Sequence, residues 1–460
     1  MLFTTLNFVV FLLVVLSLFY ILPRPWRRYL LLASSLFFYM AWNAKYVVVI
    51  LSLITIDFAA ALWIVKREGW RRRMALLVSL GANIGLLGWF KYANFLRGIW
   101  MDLFRSGVNF QPLDIILPLG ISFHTFQSIS YVIDVYRGEQ PAITSYVDYA
   151  LFVSFFPQLV AGPIVRARQF FVDYFNWRPP TGEEWQRGIA LILTGYVKKL
   201  ICADRFALLA DRYYANPAAI PGMIPAWTGT IAFGLQIFFD FSGYTDIAIG
   251  IALLFGFHFP ENFRRPYLSA SVTEFWRRWH MTLSRWLRDY VYISLGGNRK
   301  GRVRTDVNLM LTMLLGGLWH GASWNFVLWG GYHGVALSIE RALWGREERK
   351  GWVRLPLTVF TFLIVTIGWV FFRAKSFGAA AFVMGQMFSS VRGVSLLSPV
   401  EWQLAFATLL IALGEEYGHV LTRLAQSPAW VRTAAAVIAL LAIEIFTASD
   451  QSIPFVYFQF

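Results

Sequence analysis

Apolar runs long enough to cross a bilayer recur from one end of this chain to the other. Only helices and closed barrels satisfy every backbone N–H and C=O in hydrocarbon, and runs of this length fit helices. Phe3–Leu22, Leu30–Trp42, Tyr46–Val65 and Met74–Phe90 are the first four. Just 15% of the 460 residues are charged and 57% are hydrophobic, against about 25% charged in a typical soluble domain. The expectation is an all-α, polytopic membrane protein with roughly 10–12 transmembrane or re-entrant helices plus interfacial helices. No loop is long enough to fold alone, so residues 1–460 read as one membrane domain. Phe3–Tyr20 lacks a basic flank before it and a small-residue cleavage site after it, and reads as a retained first span, not a signal peptide.

The net charge of +15 reports topology. The basic residues sit in short blocks between apolar runs: Pro23–Arg28, Lys66–Arg73, Lys198-Lys199, Arg299–Arg304, and Arg341 with Arg346–Lys350. That is the pattern of cytoplasmic loops, and it excludes nucleic acid as a partner while making the lipid bilayer one. Span counting then puts the N-terminus and the tail Ile453–Phe460 outside. The single cysteine, Cys202, permits no internal disulfide and no cysteine-based metal cluster.

Several segments carry polar groups at depth. Asp57 reads as a helix-packing group ahead of a site residue. A polar loop is expected near Ser106–Leu113, then a helix from Pro118 through His124 to about Tyr136, with His124 as a hydrogen-bonded packing histidine. Tyr146–Pro157 and Leu159–Ile164 form a broken apolar segment, 171–188 a surface loop, and Gly188–Leu200 a helix ending at the cytoplasmic face. Asp240-Phe-Ser-Gly-Tyr-Thr-Asp246 lies between apolar runs. Its carboxylates demand partners, as pins of helix ends or as the lining of a polar pocket. In Thr273–Tyr290, Phe275, Trp279, Leu283, Trp286 and Tyr290 recur at helical spacing, with Arg277, Arg285 and Arg288 on another side. This predicts one helix lying in the membrane interface, with His280 between its two faces.

Leu314-Leu-Gly-Gly-Leu-Trp-His-Gly-Ala-Ser-Trp-Asn325 is the other unusual stretch. It lies within Thr305–Ile339, where Asp306 is the one charge, and between basic blocks that both belong to the cytoplasmic face. The chain must therefore leave that face and return. Helical legs before and after His320 would be about 24 and about 31 Å long. His320 falls near the apex, where glycine-kinked backbone needs protein or a water-filled cavity around it. Val353–Phe371, Phe377–Met387, Trp402–Gly414 and Ala434–Phe446 complete the apolar segments.

A histidine held neutral in apolar surroundings can take a proton from an attacking hydroxyl. His320 and His280 come from different elements, which suits a site inside a tunnel. No H-x-x-x-H or H-E-x-x-H spacing is present, so no metal site is expected. No nucleophile elbow, P-loop or G-x-G-x-x-G motif appears either. On these grounds alone, transporter and enzyme both stay open.

Four runs decide between them: Phe239–Gly250, Pro260-Glu-Asn-Phe-Arg-Arg-Pro-Tyr267, Glu274–Tyr290 and Gly317-Leu-Trp-His-Gly-Ala322. Together they resemble the membrane-bound O-acyltransferase family, with its signature region at about 230–340. The wording is most similar to the bacterial alginate O-acetylase branch, which also holds peptidoglycan and cellulose acetylation proteins and is akin to the teichoic acid D-alanylation protein. Ile293–Arg299 and Pro454–Phe460 extend the match.

The resemblance implies a ring of helices around a central tunnel in a bacterial inner membrane, passing an acetyl group from a cytoplasmic thioester to an extracellular or periplasmic polysaccharide. The donor would be acetyl-CoA or another acetyl thioester, with no resident cofactor. An outer-face acetyltransferase partner would relay the group, or the sugar would take it directly. The family's histidine falls on His320 and its second position on His280. Asp240, Ser242, Tyr244, Asp246, Trp319, Asn325 and Arg277 become candidate substrate-binding residues. His333 matches no family site, and His258 and His419 read as loop or helix-end histidines. The competing readings are a flippase or channel for an acyl or glycan intermediate, and a lipid O-acyltransferase.

Overall fold

Every regular element among the described residues is helical, as the lack of backbone partners in lipid requires. The computed structural model describes residues 1–104, 111–159, 162–344, 351–447, 453, 455 and 456. Residues 106–110 of the expected polar loop, 160 and 161 of the broken segment, and the basic block 346–350 lie outside them. The chain divides into two compact units, residues 1–189 with 248–260, and residues 190–247 with 261–460.

The first unit holds α1 (Leu6–Ile21), α2 (Arg24–Asn43), α3 (Val47–Lys66), α4 (Gly69–Leu87), α5 (Ala93–Phe104), α6 (Ile121–Arg137), α7 (Tyr146–Ser154), α8 (Phe156–Leu159) and α9 (Ala167–Phe175). Two long helices, α10 (Gly182–Tyr196) and α12 (Met223–Leu254), each run from one unit into the other. Wholly within the second unit are α11 (Asp204–Ala215), α13 (Val272–Arg278), α14 (Met281–Leu287), α15 (Arg302–His320), α16 (Trp324–Trp344) and α17 (Arg354–Arg373). They are followed by α18 (Phe377–Met387), α19 (Pro399–Gly418), α20 (Val420–Ala425) and α21 (Ala429–Phe446).

Among the described residues, five helical stretches are long and apolar enough to cross a membrane: Arg24–Lys66, Gly69–Phe104, Met223–Leu254, Gly351–Arg373 and Ala429–Phe446. Their exposed surface is itself apolar. Leu440, Leu441 and Ile445 of α21 are exposed, and none of its residues is buried. A face like that suits lipid and would be an aggregation liability in water. The chain is a polytopic all-α membrane protein.

Three local expectations are corrected. Residues 171–188 are largely helical, in α9 and α10. Thr181 caps α10, its hydroxyl accepting from the Glu184 N–H at 3.3 Å while the Glu184 carboxylate accepts from the Thr181 N–H at 2.8 Å. This Thr-x-x-Glu box was visible in the sequence. Lys199 is not a loop cation marking a membrane face: it is 1% exposed by side chain and paired with Asp204 at 2.7 Å and Asp240 at 2.9 Å.

The interfacial helix over Thr273–Tyr290 is broken in two at Trp279-His280. Its aromatic stripe does not meet lipid: Phe275, Trp279, Leu283, Trp286 and Tyr290 are all buried. A continuous helix needs right-handed backbone at His280, where φ is 41° and ψ 55°.

The expected hairpin around His320 is present as α15 and α16. Helix–helix contact is close because small residues face it. A Cβ on Gly317 would lie 2.2 Å from the Phe326 carbonyl oxygen, and one on Gly330 would lie 2.3 Å from that of Met313. At 19 residues, α15 is about 28 Å long.

Candidate active site

His320 is the last residue of α15, and the chain turns at Gly321 into α16. A Cβ at Gly321 would come 2.0 Å from the Phe326 ring, so any side chain there would have to displace that ring. The imidazole is 4% exposed and ringed by aromatics, with centroids 4.9 Å from Trp319, 5.1 Å from Trp329 and 5.2 Å from Phe372.

His280 occupies the break between α13 and α14. Left-handed backbone is uncommon for a residue with a β-carbon and must be imposed by its surroundings. Residues 262–264 impose it. The Met281 N–H donates to the Asn262 carbonyl at 2.9 Å, and the Arg264 N–H to that of Arg278 at 2.9 Å. Asn262 Oδ1 then accepts from the Thr282 N–H at 3.2 Å and its hydroxyl at 2.9 Å. The same oxygen lies 3.2 Å from His280 Nδ1. A backbone N–H can only donate, so this oxygen is the acceptor, Nδ1 carries the hydrogen, and Nε2 holds the lone pair.

The structure brings together the two predicted histidines and Trp319. Its indole is 5.9 Å from the His280 ring and 4.9 Å from His320.

A cavity of about 960 Å³ opens within the second unit. Its lining runs from the exposed Arg264, Arg277 and Arg288 inward to the buried His320 and Trp329. The wall is strongly cationic, with six arginines against Glu274 and Glu340. Most of the charge is committed: Arg278 and Arg354 each lie 2.7 Å from Glu274, and Arg341 3.1 Å from Asp306. Burial alone would raise Glu416, but hydrogen bonds and charge from Arg278 and Arg265 hold it below the usual carboxylate range. Arg277 has no ion-pair or hydrogen-bond partner among the described residues.

The remaining predicted residues lie elsewhere. Asp240 pairs with Lys199 and accepts the Val456 N–H at 2.7 Å, and Asp246 pairs with Lys198 at 2.5 Å. Both carboxylates therefore pin helices, and the Asp240–Lys199 pair also seats the chain near its end, where Lys199 donates to the Ile453 carbonyl at 3.0 Å. Ser242 and Tyr244 are buried on the same helix, and Tyr244 packs on Phe455 at 4.6 Å. Asn325 is occupied by the Ala374 carbonyl at 2.7 Å. Of the seven candidate binding residues, Arg277 alone lines the cavity.

Among the other histidines, His258 bridges Asp173 at 3.2 Å and Glu184 at 2.8 Å, and His419 caps the end of α19. His124 is buried as expected, yet neither ring nitrogen finds a hydrogen-bond partner among the described residues. His333 is buried between Trp276 and Trp329, each 5.1 Å away. Asp57 accepts from Ser79 at 2.6 Å and Asn83 at 2.8 Å, as a packing group does. Among the described residues no group of three His, Cys, Asp or Glu side chains is placed to hold a metal ion. Sequence reasoning missed Asn262 and Trp329. Asn262 stood in a quoted run, but only the backbone break reveals what it holds.

Comparison with known proteins identifies the family. Residues 138–372 match the family model for MBOAT, the membrane-bound O-acyltransferase family. The chain is 40% identical to the "probable alginate O-acetylase AlgI" of Pseudomonas putida over 98% of each protein. It is 46% identical to the Pseudomonas aeruginosa protein of that name, over 82% of this chain and 73% of the relative. It is also 38% identical to the peptidoglycan O-acetyltransferase of Helicobacter pylori, over 81% of this chain and 75% of the relative. The chain belongs to the membrane-bound O-acyltransferase family and is an O-acyltransferase.

Proposed function

We propose that this protein moves an acetyl group from a thioester donor, entering on the cytoplasmic side, to a hydroxyl that leads to O-acetylation of an extracellular or periplasmic polysaccharide, alginate-type being favoured. The observation that carries this reading is the cavity joining exposed arginines to His320. Guanidinium groups recognise phosphate oxygens, and acetyl-CoA brings phosphates at one end and the reactive thioester at the other. Arg277, without an ion-pair or hydrogen-bond partner among the described residues, is the first candidate for that contact. The names of the relatives, alginate O-acetylases and a peptidoglycan O-acetyltransferase, support a polysaccharide as the final acceptor.

His320 acts as general base. It takes the proton of the acceptor hydroxyl as oxygen attacks the thioester carbon, and returns a proton to the thiolate when the C–S bond breaks. The overall transfer releases no net proton. His280, its tautomer fixed by Asn262, presents the Nε2 lone pair and so orients the acceptor by accepting its hydroxyl hydrogen, across the indole of Trp319. The acceptor is a hydroxyl of an outer-face partner protein or of the sugar itself, and the protein sits in a bacterial inner membrane with both termini outside. The test is polysaccharide O-acetylation in cells making His320→Ala at normal abundance. Acetylation is expected to vanish, and an undiminished level overturns the assignment.

A further inference from the structure

Trp329 lies one ring beyond His320 on the wall of the arginine-lined cavity, and its indole N–H meets no acceptor among the described residues. The side chain is 1% exposed. An indole N–H can only donate, and a buried donor left without an acceptor is costly. Trp276, on the same wall, presents a second buried indole N–H of the same kind.

The indole of Trp329 is rigidly held. It stands edge-to-face against His320, with centroids 5.1 Å apart and planes at 87°. Trp369 stacks on it at 6.0 Å, and Phe372 and His333 close its other sides at 5.2 and 5.1 Å. A donor fixed this way loses little freedom when it bonds, which is the requirement for stabilising charge that appears only during reaction.

We propose that the Trp329 N–H donates to the carbonyl oxygen of the acyl thioester, positioning that carbonyl for attack and holding its negative charge. This rests on the reading of His320 as the base that serves the thioester. As the hydroxyl oxygen bonds to the carbonyl carbon, its proton passes to His320 and the C=O electron pair moves onto oxygen, where the indole N–H meets it. Collapse restores the C=O bond, breaks the C–S bond, and returns the proton from His320 to the thiolate sulfur.

The test uses the purified full-length protein with Trp329→benzothienylalanine, which keeps the fused ring and lacks the N–H, beside Trp329→Phe. Acetyl transfer from radiolabelled acetyl-CoA gives kcat and KM. Infrared spectra of bound acetonyl-dethia-CoA, which keeps the carbonyl and cannot react, report hydrogen bonding to that oxygen through an isotope-labelled C=O stretch. The expected result is a kcat lower by roughly a hundredfold with KM little changed, and a carbonyl stretch shifted up towards its unbonded frequency. An unchanged kcat and stretch, with His320→Ala inactive, overturns the role of Trp329 and leaves the base assignment standing. Lost activity with an unchanged stretch also overturns it, because Trp329 is then only packing. A wild-type protein that transfers no label removes both.

Discussion

Asn262 Oδ1 and His280 Nδ1 stand 3.2 Å apart, and the Thr282 N–H on the same oxygen decides which of them donates. One amide therefore sets a tautomer, and the stretch that carries it sets the left-handed backbone at His280. Asn262→Ala removes an acceptor that a buried N–H, a hydroxyl and an imidazole share. Stability should fall by about 1–3 kcal/mol, and acetyl transfer by more than the loss of folded protein explains. Asn262→Asp keeps an acceptor oxygen and should recover most of the activity. Rates normalised to folded protein, from thermal unfolding in detergent, check both outcomes.

Lys199 neutralises two buried carboxylates and holds the Ile453 carbonyl. Removing one partner of a buried ionic group leaves uncompensated charge, so Lys199→Met should destabilise the protein by about 3–5 kcal/mol. Limited proteolysis should then cleave the end of the chain sooner than in wild type. An unchanged melting temperature would contradict the ion-pair role.

The α15–α16 hairpin depends on backbone approach at Gly317 and Gly330. Gly317→Val forces the two helices apart, at a cost of about 1–3 kcal/mol or more. Because the turn at Gly321 is equally tight, the displacement should carry His320 with it. Acetyl transfer is expected to be lost in protein that still inserts and folds. Activity at wild-type level would show that the apex tolerates the wedge.

Glu416 gives a pH dependence with a definite sign. Its carboxyl is held below its ordinary value in the folded state by Arg278 and Arg265. The unfolded state therefore binds its proton more readily, and the contribution to stability is present above the unfolded value of about 4.3 and lost as pH falls through the lower folded one. Wild type should lose stability faster than Glu416→Gln on acidification below about pH 5. Parallel melting curves for the two proteins across that range would contradict it.

How much of this was legible in the sequence follows from which signals are local. The hairpin apex at His320 could be read, because basic blocks on both sides force the chain to go out and return, and Gly316-Gly317 and Gly321 mark close approach. The break at His280 could not. Phe275, Trp279, Leu283, Trp286 and Tyr290 repeat at helical spacing whether or not the helix continues, and the constraint comes from Asn262, 18 residues away. The carboxylates of Asp240 and Asp246 announced a need for partners, but their lysines, Lys199 and Lys198, lie more than 40 residues earlier, in a doublet that charge topology alone reads as a loop end. The capping box at Thr181–Glu184 was visible and outweighed by local polarity.

The central claim is that His320 serves a thioester reached through the arginine-lined cavity. It is tested most directly by incubating purified, reconstituted protein with radiolabelled acetyl-CoA and a hydroxyl acceptor, beside His320→Ala and Arg277→Ala. Wild type is expected to transfer label and His320→Ala to transfer none. Arg277→Ala is expected to raise KM for acetyl-CoA with kcat little changed. Equal transfer by wild type and His320→Ala would contradict it.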